Sequence, residues 1–120
     1  MSERVWVRSL HEVVLSAQSG IKGNFGRLIH PNAENSGLVM GKGVLPPGCD
    51  MGWHAHPEPE VFLVLEGEGE ASWDEGGQRH TANLEPGSAF FKVGGINHRM
   101  ANTGSRDLMG VFVKIAATMR

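Results

Sequence analysis

Glycine and proline interrupt this chain too often for a long helix to form. Seventeen glycines and six prolines lie scattered along 120 residues, not gathered into a linker. Glycine weakens a helix and proline breaks one, so only short pieces remain between them. Many of those pieces are β-branched, aromatic or alternating, the pattern of an antiparallel all-β domain. Arg27 to Ile29 reads as a first core strand, stopped by Pro31. Leu38 to Leu45 alternates up to the turn Pro46-Pro47-Gly48, and Met51 to His56 and Glu60 to Glu66 read as the next two strands. A tight hairpin at Glu66-Gly67-Glu68-Gly69 leads into Glu70 to Trp73, and Gln78 to Leu84 runs back. Ser88 to Val93, His98 to Asn102 and Leu108 to Ile115 complete the set. Leu10 to Ala17 fits either a short helix or a bent strand. Roughly eight to ten short strands without a long helix predict a jelly-roll or barrel.

The remaining composition narrows the function. A chain of 120 residues makes one domain with a single core. Its net charge is −2, which gives no electrostatic footprint for nucleic acid or an anionic membrane. The longest aliphatic or aromatic run, Val61 to Leu65, is far short of a membrane span. Arg4 and Arg8 precede no continuous apolar core, so no signal peptide is expected. The single cysteine, Cys49, has no internal disulfide partner and suits a reducing compartment. These features predict a cytoplasmic protein.

Chemistry concentrates at Gly48 to Glu60. His54 and His56 stand two apart, so in an extended segment both imidazoles share one face. Pro57 and Pro59 end regular pairing. If the strand opened by Glu60 folds back antiparallel, its carboxylate joins the two rings. Both faces of Val61 to Leu65 are apolar, whereas an outward face normally carries polar residues. Something must cover that face, either the N-terminal segment (residues 1–20) or a second copy of the chain, and a homodimer is the favoured expectation.

The spacing Gly48-x5-His54-x-His56-x3-Glu60-x6-Gly67 resembles the first signature of the cupin family at every fixed position. Gly87-x5-Val93-x-Gly95-x2-His98-x3-Asn102 resembles the second, with Val93 where the family usually has proline. That departure concerns a turn and touches no ligand. The motifs, 48–67 and 87–102, with the segment between them cover Gly48 to Asn102, nearly half the chain. The resemblance implies a single cupin domain over 1–120, a double-stranded β-helix (jelly-roll) barrel holding one divalent metal on His54, His56, Glu60 and His98. Three imidazoles and a carboxylate suit Fe, Mn, Co, Ni, Cu or Zn better than Mg or Ca. Four ligands leave one or two positions free in a five- or six-coordinate ion.

Each residue also has a plainer reading. A metal-free cupin would keep the quartet as packing. Glu58, between prolines, reads as a solvated loop carboxylate, and His11, His30 and His80 as surface or turn residues. Cys49 reads as a small half-buried thiol. The chain has no tyrosine, which excludes a tyrosine acid or base and the cysteine–tyrosine crosslink of some thiol-oxidising cupins. Strand parity puts Met40, Phe62, Val64, Phe90, Met100 and Phe112 on the pocket wall, although each serves equally well as core. Arg27, Lys42, Lys92 and Arg99 are candidates to meet a substrate carboxylate, against the commoner case that strand-end charges face water.

Three functions fit: a metal-dependent oxygenase (dioxygenase-type) acting on a small molecule that chelates the metal, a non-redox lyase or isomerase of small sugars or acids, and a non-catalytic metabolite-binding module. The second needs a general base, for which Glu66 or Glu70 would have to face inward.

Overall fold

The computed structural model describes residues 5–18 and 21–116. Residues 1–4, 19–20 and 117–120 lie outside it, and with them Arg4 and both ends of the expected N-terminal segment. Nine strands occur among the described residues: β1 (Ser16–Gln18), β2 (Ile21–Ile29), β3 (Leu38–Leu45), β4 (Glu60–Glu66), β5 (Gly69–Glu75), β6 (Gln78–Leu84), β7 (Ala89–Lys92), β8 (His98–Asn102) and β9 (Leu108–Ile115). They form a six-stranded sheet, β1-β2-β3-β9-β4-β7, and a three-stranded sheet, β6-β5-β8. Every pairing is antiparallel. No helix among the described residues is long and apolar enough to cross a membrane.

Both sheets contribute to one core. Val39, Leu45, Val64 and Leu108 are fully buried at its centre, joined by Phe62, Phe112, Ala71 and Met100. Three glycines make room for its rings. A Cβ at Gly110 would meet the Phe62 ring at 2.5 Å, one at Gly41 the Phe112 ring at 2.5 Å, and one at Gly43 the Phe25 and Phe62 rings at 3.0 Å. These strands need glycine for close packing, although glycine weakens a strand taken alone.

Three expectations change. Met51 to His56 is not a strand. It touches β8 only through the bridges Asp50↔Ala101 and His54↔His98, interrupted at Gly52, whose φ of 86° no ladder residue adopts. The fold-back of β4 onto this segment does not occur either, since β4 lies between β9 and β7. The first core strand begins at Ile21 rather than Arg27, running through Gly26, where a Cβ would strike the Val13 side chain at 2.6 Å. The uncertain stretch from Leu10 holds both alternatives, a 3-10 turn at Leu10–Glu12 and then β1.

The outer face of β4 remains apolar and open. Leu63 is 37% exposed, and on β7 beside it Phe91 is 63% exposed. The N-terminal strand does not cover it, because β1 sits at the opposite edge of the sheet.

Candidate metal centre

Three histidines meet at one end of the barrel. His98 opens β8 and is buried, and its backbone exchanges both hydrogen bonds with His54, at 3.0 and 2.8 Å. That bridge puts the two rings 4.4 Å apart, centroid to centroid. The turn at Pro57 brings His56 in from the side, 5.1 Å from His98 and 5.9 Å from His54. One ring nitrogen from each of the three lies within 4.8 Å of the others.

The backbone fixes how these rings face. Nδ1 of His54 donates to the Gly52 carbonyl at 3.3 Å, Nδ1 of His56 to that of Glu58 at 2.9 Å, and Nδ1 of His98 to that of Ile96 at 2.8 Å. A carbonyl only accepts, so each Nδ1 carries the proton, and a ring that is neutral keeps its Nε2 lone pair for the centre. Such anchoring of the second nitrogen is how metal-binding imidazoles are held. The three histidines can therefore hold an ion, and their donor chemistry suits a first-row transition metal.

The charges act differently on the three rings. Burial lowers the His98 pKa to about 4, against the pull of the Ile96 carbonyl. His54 is also lowered, chiefly by burial. His56 is raised by its contact with Glu60, whose Oε1 lies 3.5 Å from Nε2. Burial would raise Glu60, but His56 and Lys92 override it and bring the carboxyl down to about 2. Lys92 sits across the ladder from Glu60 and places its Nζ 3.0 Å from Oε1. Its burial lowers its own pKa, an effect that Glu60 only partly offsets.

A cavity of about 80 Å³ opens onto these groups. One water needs roughly 10–15 Å³, so an ion and a guest of a few heavy atoms fill it. Its lining mixes two kinds of residue: the apolar Phe25, Phe62, Phe90, Phe112 and Met100, and the polar histidines with Glu60, Arg27, Lys92 and Lys114.

The predicted pocket residues divide accordingly. Phe62, Phe90, Met100 and Phe112 reach the cavity, but Met40 and Val64 do not. On β3 the buried positions are Val39, Gly41, Gly43 and Leu45, so Met40 turns to the outer face opposite Val113. Val64 faces inward but is sealed in the core with no exposed surface. Glu58 is less remote than a solvated loop residue, with its carboxylate 3.5 Å from His56 Nδ1. Of the candidate cations, Arg27 and Lys92 line the cavity. Lys42 pairs with Val111 at an outward position, and Arg99 is engaged by Asp50 at 2.8 Å and Glu70 at 3.2 Å. Sequence reasoning missed Phe25, Met51 and Lys114. The signal for Lys114 was its place two residues beyond the inward Phe112.

The Cupin_2 family model, described as a cupin domain, matches residues 41–114. No curated protein matched the chain. Among solved structures, a predicted oxalate decarboxylase from Thermotoga maritima is 26% identical with a TM-score of 0.76, covering 92% of this chain and 98% of that one. A Cupin 2 conserved barrel domain protein from Salinispora arenicola is 20% identical with a TM-score of 0.69, covering 99% and 93%. A conserved double-stranded β-helix protein from Klebsiella pneumoniae is 19% identical with a TM-score of 0.74, covering 95% and 92%. The last two likenesses bear on the fold alone.

Proposed function

The chain belongs to the Cupin_2 family of cupin domains, and on that footing we propose that it is a metal-dependent enzyme. It holds a divalent first-row metal on His54, His56 and His98 with Glu60 as fourth ligand, and acts on a small organic molecule that chelates the ion. The observation that supports this best is the convergence of three imidazoles whose Nδ1 atoms are all tied to backbone carbonyls. When bound, such an ion supplies Lewis acidity and, if it is Fe, Mn, Ni or Cu, redox chemistry with dioxygen. The chain's own residues orient the ligands and hold Glu60 ionised through Lys92. The aromatic layer beneath keeps bulk water from the reacting side of the guest. An apolar wall around a partly coordinated metal favours dioxygenase-type oxygenase chemistry.

A second reading, a non-redox lyase or isomerase of a small acid, is favoured by the Lys92–Glu60 pair, which places a proton-carrying group against the site. The Thermotoga maritima protein, described as a predicted oxalate decarboxylase, points the same way. Oxygen uptake with a panel of small chelating acids, lost on chelation and restored by Fe(II), is the result expected for the oxygenase. Turnover that persists without oxygen selects the lyase, and tight binding without turnover would leave a binding module.

We further propose that the open apolar face of β4, β7 and β9 packs on a second copy of the chain. Leu63, Phe91 and Val93 would form the middle of that interface.

A further inference from the structure

Three side chains meet in register across the six-stranded sheet at the level of the histidines. Glu60 on β4 stands opposite Lys92 on β7 and opposite Lys114 on β9. Lys92 takes the Glu60 carboxylate at 3.0 Å. Lys114 has no ion pair among the described residues, and its Nζ lies 5.9 Å from the centroid of the Phe112 ring. Arg27, which reaches the same cavity from β2, has no carboxylate partner among them either. Among the described residues Glu60 is therefore the only carboxylate set against three cations in the cavity lining, a net charge of +2 with the imidazoles neutral. A dication at the centre makes the excess larger. Elsewhere Arg99 is paired with Asp50 and Glu70, and Arg79 with Asp74, while Lys22, Lys42 and Arg106 have no ion pair among the described residues but lie outside the cavity. What sets Lys114 and Arg27 apart is that they line a small, half-enclosed cavity, where a counter-charge is held more strongly than in water.

We infer that the guest is a small organic anion, a carboxylate of about two to four carbons given the room available, gripped by Lys114 and Arg27 while its other oxygens face the histidines. This rests on the metal-centre reading for the second half of the grip only. Lys114 and Arg27 select the charge, and Lys92, already committed to Glu60, positions that carboxylate. The Phe112 and Phe25 rings two residues before each gripping cation form the apolar floor on which the short carbon chain lies.

Titration calorimetry of the metal-loaded full chain with malonate, and with neutral malonamide, tests the inference. Malonate is expected to bind, and both Lys114→Met and Arg27→Gln are expected to weaken it about tenfold or more. Lys114→Arg is expected to restore most of the affinity, and metal content should match the parent in every variant. Malonate affinity unchanged in both neutral variants, malonamide bound equally well, or no malonate binding would each overturn the inference. Repeating the titration on chelated protein separates the two readings. A Lys114-dependent malonate signal in a chain that takes up no metal would sink the metal centre and leave the anion grip standing.

Discussion

The strand β8 is buried at both ends, His98 at 4% exposure and Asn102 at 5%, yet the two ends are used in opposite ways. At Asn102 every polar atom of the side chain has a partner within the chain. Its amide donates to the carbonyls of Leu45 at 2.8 Å and Arg106 at 2.7 Å, and its oxygen accepts from Gly104 N–H at 2.8 Å. At His98 only Nδ1 is committed, to the Ile96 carbonyl, and the other nitrogen opens on two more imidazoles. Around it Lys114 and Arg27 have no partner carboxylate among the described residues. A buried polar group with all its bonds made is a structural clasp, whereas one left partly unmatched is held ready for something from outside. Equal burial thus separates structure from function only when the bonds are counted.

Mutations at the two ends should break this contrast if it is false. The largest effect is expected for His56→Ala, which should abolish stoichiometric metal content and all activity while circular dichroism stays that of a β protein. Full metal occupancy in that variant would show the ligand set to be wrong. Asn102→Ala strands two carbonyls and an N–H, so urea denaturation should show a loss of about 4 kcal/mol, with metal content per folded chain unchanged. Lys92→Met removes the nearest cation from a buried carboxylate and should cost the metal-free protein about 3 kcal/mol. The loss should be smaller once metal is added, because the ion then serves as the counter-charge of Glu60. An equal loss with and without metal would place Glu60 outside the centre. Leu63→Lys lies on the open outer face and should change the stability of a single chain by no more than about 0.5 kcal/mol. It should nonetheless shift sedimentation from dimer to monomer, and a monomeric parent protein would remove the case for that interface.

The two ends also differ in how plainly the sequence announces them. Glycine or proline bounds β3 and β4, and these strands, like β8 and β9, lie where the sequence had placed them. His54 and His56 of the His-x-His-x3-Glu spacing meet His98, while its Glu60 lies outside that group and reaches His56 at 3.5 Å. What failed was parity on β3. In Leu38-Val39-Met40-Gly41-Lys42-Gly43 the inward positions after Val39 are glycines, with no side chain to declare a face, so Met40 read as inward. The reason for those glycines is tertiary, because they make room for the Phe25, Phe62 and Phe112 rings. The segment before His54 misled for a local reason, Gly52 breaking the ladder with a positive φ. The charged level of the cavity was visible in principle, as Phe25-x-Arg27, Phe90-x-Lys92 and Phe112-x-Lys114 each set a cation on the face of an inward ring. A cation at a strand end more often faces water, as Arg27 still largely does, and only the closing of the barrel buries Lys92.

The most direct test is anomalous diffraction from crystals of the natively purified protein, recorded on both sides of the absorption edge of the metal found in it. A single peak between the Nε2 atoms of His54, His56 and His98 is predicted, with the Glu60 carboxylate in contact. A map with no peak there, or with the metal bound elsewhere on the chain, would contradict the account.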